Sequence, residues 1–408
     1  MNDLVVGIDV GTNKICTIVG EVRPDEIFVV GVGIEPSRGM KKGIVNDIGA
    51  LTTAVSASVH KAERTSGYDI GRAFVSVAGN HIASMNSRGV TPINGQRGVD
   101  HSDIDKAMEA ARAIAIPHNR EVLHVVPRSY SLDGQDRVRS PIGMHGFRLE
   151  VEAHIITAAS SSVANLEQAV ESAGVYVDHF ILNPLASGDA ILTPSEQEMG
   201  VVVIDIGGGT TDLAIFIEGT VWHTAVIPVG GYHVTSDISH YMHVPIEDAE
   251  AVKKKYGHAK AADVDPTETF MVQPFGEGYP EEVNRRELAE VVIEARAEEM
   301  FELVQKEIKR SGYDGLLRAG AVITGGGAQL EGMRDIAEGV FGFPVRLGKP
   351  GNLTGMAETL RHPAYSTSVG LLHLGLQMAP APMGSNGSAN NGLGGLLGSL
   401  VRRLLPDE

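Results

Sequence analysis

Two segments of the chain, VVGIDVGTNK beginning at Val5 and VVVIDIGGGTTD beginning at Val201, repeat one pattern of β-branched run, aspartate and glycine turn. Aligned, they place Asp9 on Asp205 and Gly11 on Gly207. Each is followed by a second apolar run, ICTIV or LAIFI, so each reads as a β-hairpin with glycines at its bend. Glycine suits such a bend because backbone N–H groups can approach a phosphate only where no Cβ stands in the way. An aspartate closing a buried strand is costly unless it is satisfied, and a hydrated divalent cation satisfies it. Asp9 and Asp205 are therefore candidates to hold Mg²⁺, through water, between two domains. A single Asp-x-Gly after a strand is most often an ordinary turn. The repetition is what favours a phosphate site.

A third glycine turn strengthens it. AVITGGGAQLEG, from Ala321, is again an apolar strand opening into Gly325, Gly326 and Gly327. It lacks the GxGxxG spacing of a dinucleotide fold and the lysine of a P-loop, which disfavours both architectures. Alternating strand and helix patterns with 43% hydrophobic residues suit a two-lobed α/β protein. A formal charge of −17 argues against a nucleic-acid binder, which needs a concentrated basic face. The single cysteine, Cys16, lies in a strand and reads as a small core residue in a reducing compartment. No basic region or cleavage site precedes the strand at Leu4, and no apolar run approaches the ~18 residues of a membrane span.

Along the chain, strands VVGIDV, KICTIVGEV, EIFVVGVGI and AFVSVAG surround an amphipathic helix at 47–66. From His81 to about Thr157 the pattern changes. A helix in HSDIDKAMEAARAIA, with Ser102 as its expected N-cap, precedes strands VLHVVPRSYSLDG and FRLEVEAHIIT and the helix SVANLEQAVESAG. This α+β unit is needed by neither glycine turn and reads as an inserted module. The second lobe starts near Met199 and contains a charged helix, IEDAEAVKKKYG, and a long helix expected over 284–310. A helix in PAYSTSVGLLHLGLQM ends the ordered part.

Residues 379–392 begin APAPMGSNGSANN, too poor in apolar side chains to offset their chain entropy, and read as a flexible tether. Residues 393–408 follow. There Leu393, Leu396, Leu397, Leu400, Val401, Leu404 and Leu405 recur at helical spacing and share one face, with Arg402 and Arg403 pointing elsewhere. Such a segment suits a helix lying in a membrane surface, leucines immersed and arginines near anionic headgroups. Asp407 and Glu408 largely cancel the arginines, so apolar insertion is expected to dominate. Docking on its own protein or in a partner's groove is the competing reading.

Taken together, GIDVGTNK, VIDIGGGTTD, FILNPLASGDAIL and ITGGGAQLEG resemble the actin, heat-shock chaperone and sugar kinase superfamily of ATP-binding proteins. PSRGMKKGIVND, VIPVGGYHVTSDI, YSTSVGLLHLG and the tethered terminal helix narrow the resemblance to the FtsA family of actin-related bacterial division proteins. The fold implied is actin-like: two lobes built on duplicated ribonuclease H-like domains, with an inserted α+β subdomain. In the family's terms, residues 1–80, 163–198 and 347–378 form subdomain IA, and 81–162 the inserted subdomain IC. Residues 199–229 and 301–346 form IIA, and 230–300 form IIB.

The resemblance also implies a nucleotide cleft. Gly11, Thr12, Asn13 and Lys14 match the first phosphate loop; Gly207, Gly208, Gly209, Thr210 and Thr211 match the second, with Asp212 bracing it or ligating through water. The pair Glu250 and Lys253 falls where the superfamily contacts ribose and adenine, the glycines at 325–327 lie against the adenosine from the other side, and Gly230 is counted with them among the ATP-binding residues. On composition alone, Glu250 and Lys253 are an ordinary surface ion pair. Asn183 stands where active relatives present a Glu or Gln that orients the attacking water, so slow hydrolysis at best is expected. The implied role is a peripheral protein at the cytoplasmic face of the inner membrane, at the division site. It would bind Mg·ATP, polymerise, tether FtsZ through subdomain IIB and meet later division proteins through subdomain IC. Rival readings are an actin-fold kinase, for which the first lobe offers no catalytic aspartate toward a second substrate, and a chaperone ATPase, for which no substrate-binding domain follows. A PilM-like adaptor is the nearest alternative, set apart by the terminal helix.

Overall fold

The computed structural model describes residues 4–22, 27–94, 97–276, 279–351, 353–356 and 358–378. The tether and the leucine-rich segment at 393–408 lie outside the described residues.

Lobe I opens with an antiparallel meander, β1 (Leu4–Val10), β2 (Lys14–Val22) and β3 (Ile27–Pro36). Helix α1 (Ile48–Ser66), capped by the Asp47 side chain on Ala50 N, carries the chain back so that β4 (Arg72–Val77) pairs parallel to β1. The insert follows as β5 (Ala83–Pro92), α2 (His101–Arg112), β6 (Arg120–Leu132) and β7 (Arg148–Ala159), with β7 between β5 and β6 in an antiparallel sheet. Helix α3 (Ser160–Glu171) returns to lobe I, where β8 (Tyr176–Leu182) pairs parallel to β4. Helix α4 (Asn183–Ile191) leads into lobe II.

Lobe II repeats the plan. Strands β9 (Val201–Ile206), β10 (Thr211–Ile217) and β11 (Thr220–Ile227) form the meander. Helices α5 (Gly231–Met242), α6 (Ile246–Tyr256) and α7 (Ala295–Ser311) precede β12 (Ala321–Thr324), which pairs parallel to β9. Helix α8 (Met333–Phe341) then leads to β13 (Val345–Leu347), parallel to β12, and α9 (Ser366–Met378) packs back on α4 and β1. The order β3–β2–β1–β4–β8 in lobe I matches β11–β10–β9–β12–β13 in lobe II. The chain is thus an actin-like, duplicated α/β fold with an α+β insert.

Burial follows from this plan. Every residue of β9 and β10 is buried, as expected of central strands covered by helices on both faces. One apolar cluster joins all three parts at the base of the molecule: Val5 and Leu182 of lobe I, Val203 and Phe216 of lobe II, and Val126 and Ile156 of the insert. Helices α4 and α9 cross there almost backbone to backbone. A Cβ on Gly370 would lie 1.8 Å from the Ala186 carbonyl oxygen, so only glycine permits the crossing.

Two elements differ from the sequence reading. Helix α2 is capped by Asp100 rather than Ser102, because Asp100 accepts from Asp103 N while the Asp103 carboxylate accepts from Asp100 N. The long helix expected over 284–310 runs unbroken from Arg285 to Ser311 but changes register inside: the turn Arg285–Leu288 passes through a π-helical stretch, Ala289–Glu294, into α7. Among the described residues no helix is long and apolar enough to cross a membrane.

Candidate functional site

A cleft of about 660 Å³ separates the lobes, within the range of small-ligand sites. Its walls carry Asp9, Gly11, Thr12, Asn13 and Lys14 from lobe I, and Asp205, Gly207, Gly208, Thr210, Asp212 and the glycines at 325–327 from lobe II. The two bends are closed identically, Gly11 N donating to Lys14 O at 3.0 Å and Gly207 N donating to Thr210 O at 2.9 Å. The aspartates precede these bends at the ends of β1 and β9, so the duplicated topology itself brings them to the cleft floor from opposite sides.

Their partners differ. Asp9 is fully engaged: Oδ1 accepts from Ser76 Oγ at 3.0 Å, and Oδ2 accepts from Ser368 Oγ at 2.9 Å and from Lys14 Nζ at 3.3 Å. The Lys14 ammonium also stands 4.6 Å from the centre of the Tyr365 ring, so this lysine is held at the cleft wall rather than free on the turn. Asp205 Oδ2 accepts from Thr367 Oγ1 at 2.9 Å. Burial, helped by the negative charge of Asp9 and opposed by the Thr367 hydrogen bond, pushes Asp205 up to about 6. Asp212 Oδ2 accepts from Thr210 Oγ1 at 3.0 Å, but its buried Oδ1 has no partner. Burial, and then the Asp205 charge, raise Asp212 well above the usual carboxylate range.

This donor set fits a hydrated divalent cation. A buried carboxylate oxygen without a partner and two carboxylates pushed up by burial and by a neighbouring negative charge, Asp9 beside Asp205 and Asp205 beside Asp212, are the groups a positive charge would relieve. Among the described residues no three His, Cys, Asp or Glu side chains gather as a metal cage.

At the outer end, the Glu250–Lys253 pair is built into the cleft. Lys253 Nζ lies 2.6 Å from Glu250 Oε2 and donates to Thr235 Oγ1 at 2.7 Å and to Gly231 O at 3.1 Å. Thr235 Oγ1 in turn donates to Glu250 Oε2. Burial raises the Glu250 carboxyl, yet the Lys253 and Thr235 contacts outweigh it and hold the group below its ordinary value. Asn183 opens α4 at the cleft wall, its buried Oδ1 unpartnered and thus able to accept from a water.

Three expected residues are not on the cleft wall. Gly209 instead meets lobe I, where an added Cβ would stand 2.8 Å from Lys42 Cα and 2.9 Å from Thr12 Oγ1. Thr211 starts β10 with its hydroxyl turned away, donating to Val229 O at 2.8 Å. Gly230 backs the second loop, an added Cβ falling 2.7 Å from Gly207 O. Conversely, Ser76, Thr367 and Ser368, to which the sequence reading assigns no role in the cleft, orient the two aspartates. Gly231, Lys254 and Arg285 also line the cleft.

Comparison with known proteins agrees with this architecture. The family model "Cell division protein FtsA" matches residues 202–370, and the model "SHS2 domain inserted in FTSA" matches 79–157, the insert. The cell division protein FtsA of Pseudomonas aeruginosa is 46% identical over 375 residues, 92% of this chain and 89% of its own length. That of Escherichia coli is 40% identical over 380 residues, covering 91% and 90%. Among solved structures, a chain of the PilM-PilN type IV pilus biogenesis complex superposes with a TM-score of 0.64 at 17% identity, covering 91% of this chain and 98% of that one. MreB5 of Spiroplasma citri bound to ADP does so with a TM-score of 0.54 at 16% identity, covering 90% and 94%. These distant likenesses establish the fold, and the close relatives establish the family: the chain belongs to the FtsA family of cell division proteins.

Proposed function

We propose that this division protein closes its two lobes on Mg·ATP, polymerises, and fastens FtsZ to the cytoplasmic membrane through its terminal segment. The observation that carries the nucleotide reading is the convergence of Asp9 and Asp205, with their matching glycine bends, on one cleft from two lobes. A fold neighbour, MreB5, is described bound to ADP and to AMPPNP, which supports a nucleotide in the equivalent place.

In this reading the N–H groups of the bends at Gly11 and Gly207 cradle the phosphates, and Lys14 faces them from lobe I. Asp9 and Asp205 hold the cation's water shell, while Glu250 and Lys253 meet the nucleoside. Asn183 orients a water but is no base, so turnover is slow and ATP acts chiefly as a ligand that binds the lobes together. FtsZ docks on residues 230–300 and later division proteins on the insert. The leucines from 393 to 405 immerse in the inner membrane's cytoplasmic leaflet, reversibly for a single short anchor, and polymerisation supplies avidity.

Co-sedimentation with vesicles of anionic phospholipid, with Mg·ATP and a labelled FtsZ tail peptide, tests the reading as a whole. The full chain should carry the peptide into the pellet, and a chain ending at Met378 should leave both in solution. Equal pelleting of the two chains would remove the anchor, and pelleting of the full chain without peptide would remove the FtsZ assignment.

A further inference from the structure

The insert is rooted in lobe I, yet it lies along β11, the edge strand of lobe II. Several contacts cross this seam. Ser84 Oγ donates to Thr224 O at 2.8 Å, and His154 meets Thr224 Oγ1 through Nε2 at 2.9 Å and Asn86 Oδ1 through Nδ1 at 2.8 Å. Thr220 Oγ1 donates to Arg128 O at 3.3 Å, and Arg137 Nη1 lies 4.0 Å from Glu218 Oε1.

At the centre stands Arg128 of β6, its side chain only 7% exposed. Its guanidinium carbon lies 4.5 Å from the centre of the Trp222 ring and 5.3 Å from that of Tyr313, and Nη2 donates to the Tyr313 hydroxyl at 2.9 Å. The two rings meet edge to face with centres 5.4 Å apart. A desolvated guanidinium against two aromatic rings is in the strong regime of cation–π attraction. Within the insert its Nη1 lies 4.0 Å from Glu152 Oε2, and its buried Nε has no partner, so the two rings and the Tyr313 hydroxyl are what hold this side chain against lobe II.

Lobe I, the insert, lobe II and the crossing helices α4 and α9 therefore form a closed ring. We propose that Arg128, held by Trp222 and Tyr313, is a latch that makes the insert a strut between the lobes. The lobes separate only when the latch opens, and a force on the insert is felt at the cleft. The latch concerns the seam alone and does not depend on what the cleft binds.

Trp222 is the chain's only tryptophan, so its emission reports the latch directly. The test compares the full chain with Arg128→Ala and Arg128→Lys by tryptophan emission and by amide hydrogen exchange resolved along the sequence. The alanine chain should shift Trp222 emission to the red and speed exchange roughly tenfold in β5, β6 and β11, leaving β1 and α6 unchanged. Lysine, which keeps a cation near the rings, should restore part of the protection. Unaltered emission and exchange would overturn the latch. So would an equal acceleration everywhere, which would mark general loss of stability. If the alanine chain does not fold, Tyr313→Phe, which deletes only the hydroxyl bonded to Arg128, must still speed exchange in β6 and β11; no change there would also overturn it.

Discussion

Thr367 and Ser368, neighbours on α9, donate to carboxylates of opposite lobes, Thr367 Oγ1 to Asp205 and Ser368 Oγ to Asp9, each at 2.9 Å. One helix thus sets the positions of both aspartates, and a displacement of α9 reaches both at once. Charge-assisted hydrogen bonds of this kind are worth about 1.5–3 kcal/mol. Thr367→Val and Ser368→Ala should each weaken Mg·ATP binding about tenfold or more. The double variant should lose less than the sum of the two, because the residues act through one helix. Titration calorimetry of the three variants checks this, and strict additivity would argue that the two aspartates are held independently.

The pH dependence of Asp205 has a definite sign. Its folded value of about 6 lies above the ordinary 3.8, so the folded chain holds the extra proton between those values. Its contribution to stability is therefore greatest below about 4, falls as pH rises through this window, and stays low above about 6. Asp205→Asn should raise the stability of the ligand-free chain at pH 7.5, by on the order of 1–3 kcal/mol, and give no gain near pH 4. Thermal unfolding at the two pH values measures it; a gain that persisted at pH 4 would point to packing rather than to charge.

The α4–α9 crossing tolerates no side chain at Gly370. Gly370→Val should lower stability by about 1–3 kcal/mol or more, read as a lower urea midpoint. It should also weaken the cleft's grip, because α9 carries Thr367 and Ser368. Gly326→Ala, where an added Cβ meets nothing within 4 Å, is the matched control and should leave the urea midpoint nearly unchanged.

At the other end of the cleft, Lys253→Met should reduce ATP affinity about tenfold while leaving inorganic triphosphate binding nearly unaffected, since Lys253 is bound to Glu250, Thr235 and Gly231 rather than to Asp9 or Asp205. Equal losses for both ligands in a competition assay would place Lys253 at the phosphates instead.

The parts of this architecture legible in the sequence are those that local chemistry dictates. The turns at Gly11 and Gly207 demand glycine, and a buried strand demands a reason for Asp9 and Asp205, so the duplicated hairpins and the cleft floor stand out. Ser76, Thr367 and Ser368 do not: a small hydroxyl residue on an apolar helix or strand is common, and Ser368 finds Asp9 only across 359 residues of chain. Thr210 and Thr211 are chemically alike, and the sequence does not say which of them turns its hydroxyl to the cleft. In the fold Thr210 Oγ1 donates to Asp212 at the cleft and Thr211 Oγ1 to Val229 O. Likewise Asp100 and Ser102 are both good caps, and the reciprocal bond with Asp103 decides between them. The π-helical stretch at Ala289–Glu294, which buries Val292 and Ile293, carries no local signal that sets it apart from the α-helix around it.

In the proposed function, matched carboxylates and glycine bends hold a nucleotide between the lobes. Calorimetric titration of Mg·ATP into the full chain, beside Gly208→Val, tests it most directly. At Gly208 an added Cβ would strike the Asn13 side chain across the cleft at 2.6 Å, so the bend could not close on a ligand. The account predicts saturable binding of one ATP per chain that requires Mg²⁺ and is lost in the variant. Absence of binding by the native chain, or equal binding by the variant, would contradict it.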